Sequence, residues 1–297
     1  MVVIHRSFRL PECRDYSLVL QAMNIDHELE RGVFGWRVLV PEHQAADARE
    51  QWRLYQLENR PRPVRHNFAE PRPGAAIGAL VWAATLLVYF WLQVNFAFGI
   101  DWTSAGKVDV GIVRAGDWWL AVTGLTLHVD VAHVLVNIGF GAVFGTLLAR
   151  EIGPGYAWAL ILAGGIGGNA MNVVVQRASH TSIGASTAVF AALGLVGAYM
   201  WTARRMLMHS WASRASPVVG ALIMLAWLGT GDARTDIVAH LTGFVVGFVL
   251  GVIVGRLRRR PGSDVQRQWV AGGAALLCLF LAWSLALGTT DHRLSTF

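Results

Sequence analysis

The feature that most constrains this chain is a scarcity. Seven apolar runs, near 75-98, 131-149, 155-176, 185-203, 216-230, 236-255 and 269-288, hold no Asp, Glu, Lys or Arg apart from Asp236 at the edge of the sixth. Most reach the roughly 20 residues that a helix needs to cross a bilayer, and the fifth is short. The rest of the composition agrees: 54% of the 297 residues are hydrophobic and 15% charged, a balance that excludes an ordinary soluble globular protein. Thirteen Trp and 32 Gly suit a chain with residues at the membrane interface and closely packed helices. Ion-coupled transporters and proton pumps place charges at mid-membrane, so these uncharged runs, with no visible inverted repeat, argue against transport.

A net charge of +6 raises the question of nucleic acid, but the basic residues fall in short clusters between apolar runs, with no basic face interleaved with aromatics. Arg60, Arg62, Arg65 and Arg72 precede the first run; Arg204, Arg205 and Arg214 separate the fourth from the fifth; Arg256, Arg258, Arg259, Arg260 and Arg267 separate the sixth from the seventh. If each run crosses once, all three clusters share one side. That side is expected to be cytoplasmic, with the C-terminus outside. The connection 99-130 is then extracytoplasmic, and its Trp102, Trp118 and Trp119 suit a loop lying among lipid headgroups. Two cysteines, Cys13 and Cys278, make neither a disulfide framework nor a Cys-based zinc site. The first 15 residues lack an apolar stretch of signal-peptide length, so the N-terminus is expected to stay cytoplasmic.

Residues 1-67 read as a small α/β cytosolic domain, with strands at Val2-Ile4 and Trp36-Val40 and helices at Arg14-Met23 and Ala45-Leu57. A basic, proline-rich linker follows, its last part at 68-74. Beyond it come a six-span core at 75-255, a basic cytoplasmic loop at 256-268, a seventh span at 269-288 and an extracytoplasmic tail at 289-297.

With charges missing, the informative residues are neutral polar groups, each costly in hydrocarbon unless satisfied. The second span opens with His128-Val-Asp-Val-Ala-His133-Val-Leu-Val-Asn137, where His133 and Asn137 share a helix face. The fourth opens with Ser182-Ile-Gly184-Ala-Ser186-Thr187, and the sixth with Asp236-Ile-Val-Ala-His240-Leu-Thr-Gly243. All three run outside to inside, so these groups lie within about two turns, roughly 10 Å, of the outer helix ends. A hydroxyl, imidazoles and an amide at one water-reachable level make a reaction centre for acyl transfer: nucleophile, base and oxyanion donors. Taken singly, each has an ordinary structural role: Ser186 bonded to a carbonyl one turn back, His240 as an interhelical hydrogen bonder. His128 and His133 are off-phase for one face and lack a carboxylate or Cys partner, so no metal is expected. Gly243, Gly247, Gly251 and Gly255 give the sixth span a small-residue face that the fourth can approach closely.

Together these motifs resemble the rhomboid family of intramembrane serine proteases: His128-x4-His133-x3-Asn137, Gly184-Ala185-Ser186, and Ala239-His240-x2-Gly243-x3-Gly247, in that order. The resemblance covers roughly 75-255. It implies an all-α polytopic membrane protein, a six-helix core to which this chain adds a seventh C-terminal transmembrane helix and the N-terminal α/β domain. It also implies Ser186 as nucleophile and His240 as its neutral general base, without a third carboxylate. Asn137, His133 and the Ser186 N–H would hold the oxyanion, with His128 a further candidate. Phe190 corresponds to an aromatic that packs against the base. Asp236 reads as a helix N-cap, and Asn169, Asn172 and Gln176 as interhelical hydrogen bonders. Two positions depart from the family pattern: Thr187 stands where Gly usually follows the serine, and Leu120 where many members have Arg after Trp118-Trp119.

The implied function is a multi-pass endopeptidase of the bacterial inner (plasma) membrane. It would cut transmembrane protein substrates within the lipid bilayer, with its active site towards the extracytoplasmic face and no cofactor. The alternative is a catalytically silent relative that binds transmembrane segments. Substrate identity and oligomeric state have no signature in the sequence.

Overall fold

The computed structural model describes residues 1–33, 35–59, 74–204, 210–229, 236–257 and 265–294. The expected Pro/Arg linker, apart from Gly74, lies outside the described residues, as do Arg205, Arg258, Arg259 and Arg260 of the two later arginine clusters. Chain contacts divide the molecule into two compact units, Met1–Asn67 and Phe68–Phe297.

The first unit runs β1 (Val2–Ser7), α1 (Leu10–Ala22), β2 (Glu28–Gly32), β3 (Gly35–Val40) and α2 (Ala45–Glu58). Its antiparallel sheet has the order β1-β3-β2. Val38 and Val40 point to one face of β3 and bury against Cys13, Tyr16 and Leu20 of α1 and Ala45 and Ala48 of α2, as the two-residue strand period requires. Tyr16 donates its hydroxyl to the Ala48 carbonyl (3.0 Å) and stacks on Trp52 with ring centroids 4.3 Å apart. β2 has no counterpart in the sequence reading. Glu28, Glu30 and Arg31 leave only Leu29 to pack inward, a pattern that suits an edge strand defended by charge.

The second unit contains α3 (Ala75–Val94), α4 (Trp102–Gly106), β4 (Val108–Asp109), α5 (Val110–Arg114), α6 (Leu120–Thr123), α7 (Val131–Ile152), α8 (Pro154–Val175), β5 (Thr181–Ser182), α9 (Ser186–Arg204), α10 (Trp211–Gly229), α11 (Ile237–Arg256) and α12 (Val265–Leu294). Among the described residues six helices are long and apolar enough to cross a membrane: α3, α7, α8, α9, α11 and α12. The short fifth apolar run falls in α10, which carries Arg214 and an internal Pro217. The connection 99-130 is not one open loop but three short α-helices, a 3-10 turn at Gly124–Thr126 and a two-residue strand.

α9 is the central helix. Some 61% of its span is buried, against 17% for α3 and 22% for α12. Its small residues explain why: Ala188, Ala191, Ala192 and Ala198 are almost fully covered by neighbouring helices. The turn between α7 and α8 breaks at Gly153 and Pro154, which leaves polar backbone groups unpaired. Gln268 of α12 supplies both partners, accepting from the Tyr156 N–H (3.1 Å) and donating to the Ile152 carbonyl (3.0 Å).

Candidate active site

The segment entering α9 is held on two sides before it reaches Ser186. β5 pairs antiparallel with β4, Val108 opposite Ser182, and the Gly184 N–H donates to the Gly124 carbonyl at 2.9 Å. Gly184 has φ +138, a conformation that side chains rarely adopt. A Cβ there would stand 2.8 Å from His133 Cε1 and 3.6 Å from Ser186 Oγ. The glycine therefore leaves open the space that the His133 ring and the Ser186 hydroxyl both border. Ser186 and His133 are half-buried.

The Ala185 N–H donates to Nε2 of His128 at 3.3 Å, which requires that nitrogen to be unprotonated. Burial, with His133 beside it, pushes the His128 pKa down to about 3. The two rings meet edge-on with centroids 5.1 Å apart. The structure thus brings His128 to the backbone at the start of α9, and His133 to the Gly184 gap. On α7, Asp130 caps the helix by accepting from the His133 N–H (2.8 Å). Buried Asn137, one turn on, donates from Nδ2 to the His133 carbonyl (3.0 Å), which leaves its second amide hydrogen for another acceptor.

His240 lies in the first turn of α11, 8% exposed. The Phe190 ring covers it with centroids 4.3 Å apart. Below this level the two helices touch backbone to backbone. A Cβ at Gly243 or Gly247 would collide with the carbonyl oxygens of Thr187 and Ala191, and one at Gly251 would come within 2.6 Å of the Leu195 oxygen. Steps of four on α11 meet steps of four on α9 in the same direction, so the helices run parallel, with Ser186 and His240 at the same end.

The two departures from the motif pattern have physical counterparts. Thr187 is buried, and its Cγ2 fills a notch between Gly168 of α8 and Gly243 of α11: a Cβ at either glycine would crowd that methyl group. The close approach usually allowed by glycine on α9 is supplied here by glycines opposite it. Leu120 is buried with Trp102, Val122, Leu127 and Trp283. The connection 99-130 is braced instead by Arg114, which donates to the carbonyls of Val173 (2.6 and 3.1 Å), Val174 (3.2 Å) and Gln176 (2.7 Å) at the end of α8.

A family model described as "Rhomboid domain" matches residues 115–257, from just before α6 through α11. Over these residues the chain carries a rhomboid domain. It is 26% identical over 165 residues to "Rhomboid protease GluP" of Bacillus subtilis, covering 55% of this chain and 32% of that one. It is 25% identical over 187 residues to "Rhomboid-like protease 2" of Toxoplasma gondii, 57% and 62% of the two chains. To "RHOMBOID-like protein 1" of Arabidopsis thaliana it is 31% identical over 145 residues, 47% and 35%. The matched stretch thus spans about a third to two thirds of the length of these relatives. With six apolar helices and this rhomboid domain, the chain is a multi-pass membrane protein.

Around the rhomboid domain sit supports that the motifs do not reveal. Gln93, at the end of α3, clamps the His128 peptide, donating to its carbonyl (2.9 Å) and accepting from its N–H (3.0 Å). Its signal in the sequence is that it is the one uncharged amide among the apolar residues of the first span before Asn95. Trp82 donates to the Asn137 carbonyl at 3.3 Å. Trp283 of α12 donates to Thr126 Oγ1 (3.2 Å), two residues before His128. Within the domain, the hydrogen bonders expected from the sequence do bond: Asn169 donates to the Ala121 carbonyl (2.8 Å), and Asn172 and Gln176 to Asp236 (3.0 and 3.4 Å).

Proposed function

We propose that this rhomboid protein is an intramembrane serine endopeptidase in which Ser186 is the nucleophile and His240 the general base. The observation that carries the reading is the parallel, glycine-mediated contact of α9 and α11, with His240 under Phe190 at the end where Ser186 begins its helix. In the reaction, neutral His240 takes the Ser186 proton as Oγ bonds to the scissile carbonyl carbon. The resulting oxyanion is stabilised by the Ser186 N–H, the free amide hydrogen of Asn137 and the His133 ring, at a helix N-terminus whose dipole favours negative charge. His240 returns the proton to the departing amine. Water, deprotonated by His240, then attacks the acyl carbon; the bond to Ser186 Oγ breaks, His240 returns the proton to that oxygen, and the second product leaves as a carboxylate or its acid.

His128 acts behind this centre. As a neutral acceptor it fixes the Ala185 N–H, and so the backbone of the oxyanion site. The substrate class is a transmembrane helix, whose carbonyls are exposed to attack only where the helix is locally unstable. The orientation follows from arginine: N-terminal unit, 1-67, in the cytoplasm of a bacterial cell, seven spans including α10 and α12, and Ser186 towards the extracytoplasmic face.

The purified protein is expected to cut a reporter transmembrane substrate and to be labelled at Ser186 by a fluorophosphonate. Ser186→Ala abolishes both, and His240→Ala abolishes labelling. Equal cleavage by wild type and Ser186→Ala sinks the dyad, and a folded wild type that neither cleaves nor labels is a transmembrane-segment binder instead.

A further inference from the structure

The base helix is held at two levels, and only one belongs to the dyad described above. Below His240, Gly243 locks α11 to the α9 backbone. Above it, four residues earlier, Asp236 gathers four donors. Its Oδ1 accepts from the Ala239 N–H (3.0 Å) and Gln176 Nε2 (3.4 Å), and its Oδ2 from Asn172 Nδ2 (3.0 Å) and His180 Nε2 (2.7 Å). The His180 and Asp236 side chains are 27% and 15% exposed, so the pair is shielded enough to hold a geometry.

These donors come from different pieces of chain. Ala239 belongs to α11 itself, and Asn172 to α8, with Gln176 just past its end. His180 belongs to neither: it immediately precedes β5, in the segment that leads through Gly184 to Ser186. Its own backbone is pinned, because the Val110 N–H donates to its carbonyl (3.1 Å) and its N–H donates to the Arg177 carbonyl (2.9 Å). The His180–Asp236 bond is thus a direct tie between the nucleophile's segment and the first turn of the base helix. His240 follows that turn rigidly, since its N–H donates to the Asp236 carbonyl at 3.1 Å.

Resting on the dyad reading, we infer that His180 is a positioning residue of the reaction: through Asp236 it fixes His240 relative to Ser186. A group displaced by about 1 Å can lose on the order of 100-fold in rate, so a tie of this kind acts on turnover more than on substrate binding. Asp236 keeps its capping role in the absence of His180, which separates the tie from the helix end itself.

The test uses the full-length protein in detergent, a reporter transmembrane substrate and amide exchange. His180→Ala is expected to lower kcat about tenfold or more with KM within about twofold, and to speed exchange of the His240 amide. His180→Gln, which keeps a donor at similar reach, restores most of both. Combining His180→Ala with Asp236→Asn costs no more than the worse single change, as for two ends of one tie. A His180→Ala protein with wild-type kcat and wild-type His240 exchange overturns the proposal. So does a loss of activity that only tracks a lowered Tm and is not rescued by Gln. Wild type that neither cleaves nor labels ends the protease reading instead, and the exchange measurement still decides whether the tie exists.

Discussion

The ring of Phe190 lies over the ring of His240, centroids 4.3 Å apart and planes inclined at 33°. Phe190 is one turn into α9 from Ser186, so the helix that carries the proposed nucleophile also limits how the proposed base can rotate. Phe190→Leu preserves burial but removes the flat face against which the imidazole packs. It is expected to lower kcat about 10-fold while Phe190→Tyr stays near wild type, because a misplaced base loses rate steeply. Steady-state cleavage of a reporter substrate checks this, and equal rates for Leu and Tyr would remove the ring from the account.

The glycine face of α11 makes a sharper stability prediction than most helix contacts. A methyl group at Gly247 would run first into the Ala191 backbone, and a carbonyl cannot rotate away as a flexible side chain does. Gly247→Ala is expected to cost about 1–3 kcal/mol and to reduce activity by moving α11 from α9. Gly220→Ala on α10, where no described residue comes within 4 Å, serves as the control: activity should stay unchanged and Tm should not fall. Thermal unfolding in one detergent compares the two.

Thr187 carries the opposite expectation from the one its departure from the family pattern invites. Its methyl fills the notch between Gly168 and Gly243, so Thr187→Gly opens a void and adds backbone freedom at the start of α9. The variant should be less stable by about 1–2 kcal/mol and no more active. A gain in cleavage by Thr187→Gly would show that the β-branched residue obstructs substrate.

Much of the candidate site is legible in the sequence because its polar side chains lie at helix starts. His133 and Asn137 share a face by their spacing of four, Gly243 and Gly247 by theirs, and Asp236 reads as a cap because it precedes an apolar run. The supports are not legible in the same way, because they join residues far apart in the chain. Gln93 meets His128, Trp283 meets Thr126 and Arg114 meets the end of α8, and none of these pairs has a period or a motif. β2 escapes for a different reason: its charges suit an edge strand, and charge is what a pattern search reads as loop.

Gln93 tests whether those distant supports matter. Gln93→Leu leaves both polar groups of the His128 peptide without their side-chain partner, at a cost of about 1–3 kcal/mol for a buried peptide. Gln93→Glu keeps the acceptor for the His128 N–H but loses the donor for its carbonyl, so it should fall between Leu and wild type. Tm and fluorophosphonate labelling should decline in that order. An unchanged labelling rate in Gln93→Leu would mean that His128 holds its place without the clamp.

His128 also sets an acid limit on the fold. Its imidazole is fully buried, accepts the Ala185 N–H and is pushed from 6.5 down to about 3, by burial first and His133 second. The folded state therefore favours the neutral ring. Above pH 6.5 the ring is neutral in both folded and unfolded chains and nothing is lost; between 6.5 and about 3 the unfolded chain takes up a proton that the folded chain refuses. Stability accordingly declines as pH falls through that window, with a slope approaching one proton, about 1.4 kcal/mol per pH unit. His128→Gln can still accept the Ala185 N–H through its amide oxygen but cannot titrate. Its Tm is expected to lie near or below that of wild type at pH 7.5 and to fall less steeply towards pH 4.5, so that the two curves converge or cross. Parallel curves over that range would mean that His128 is not what makes the fold acid-sensitive.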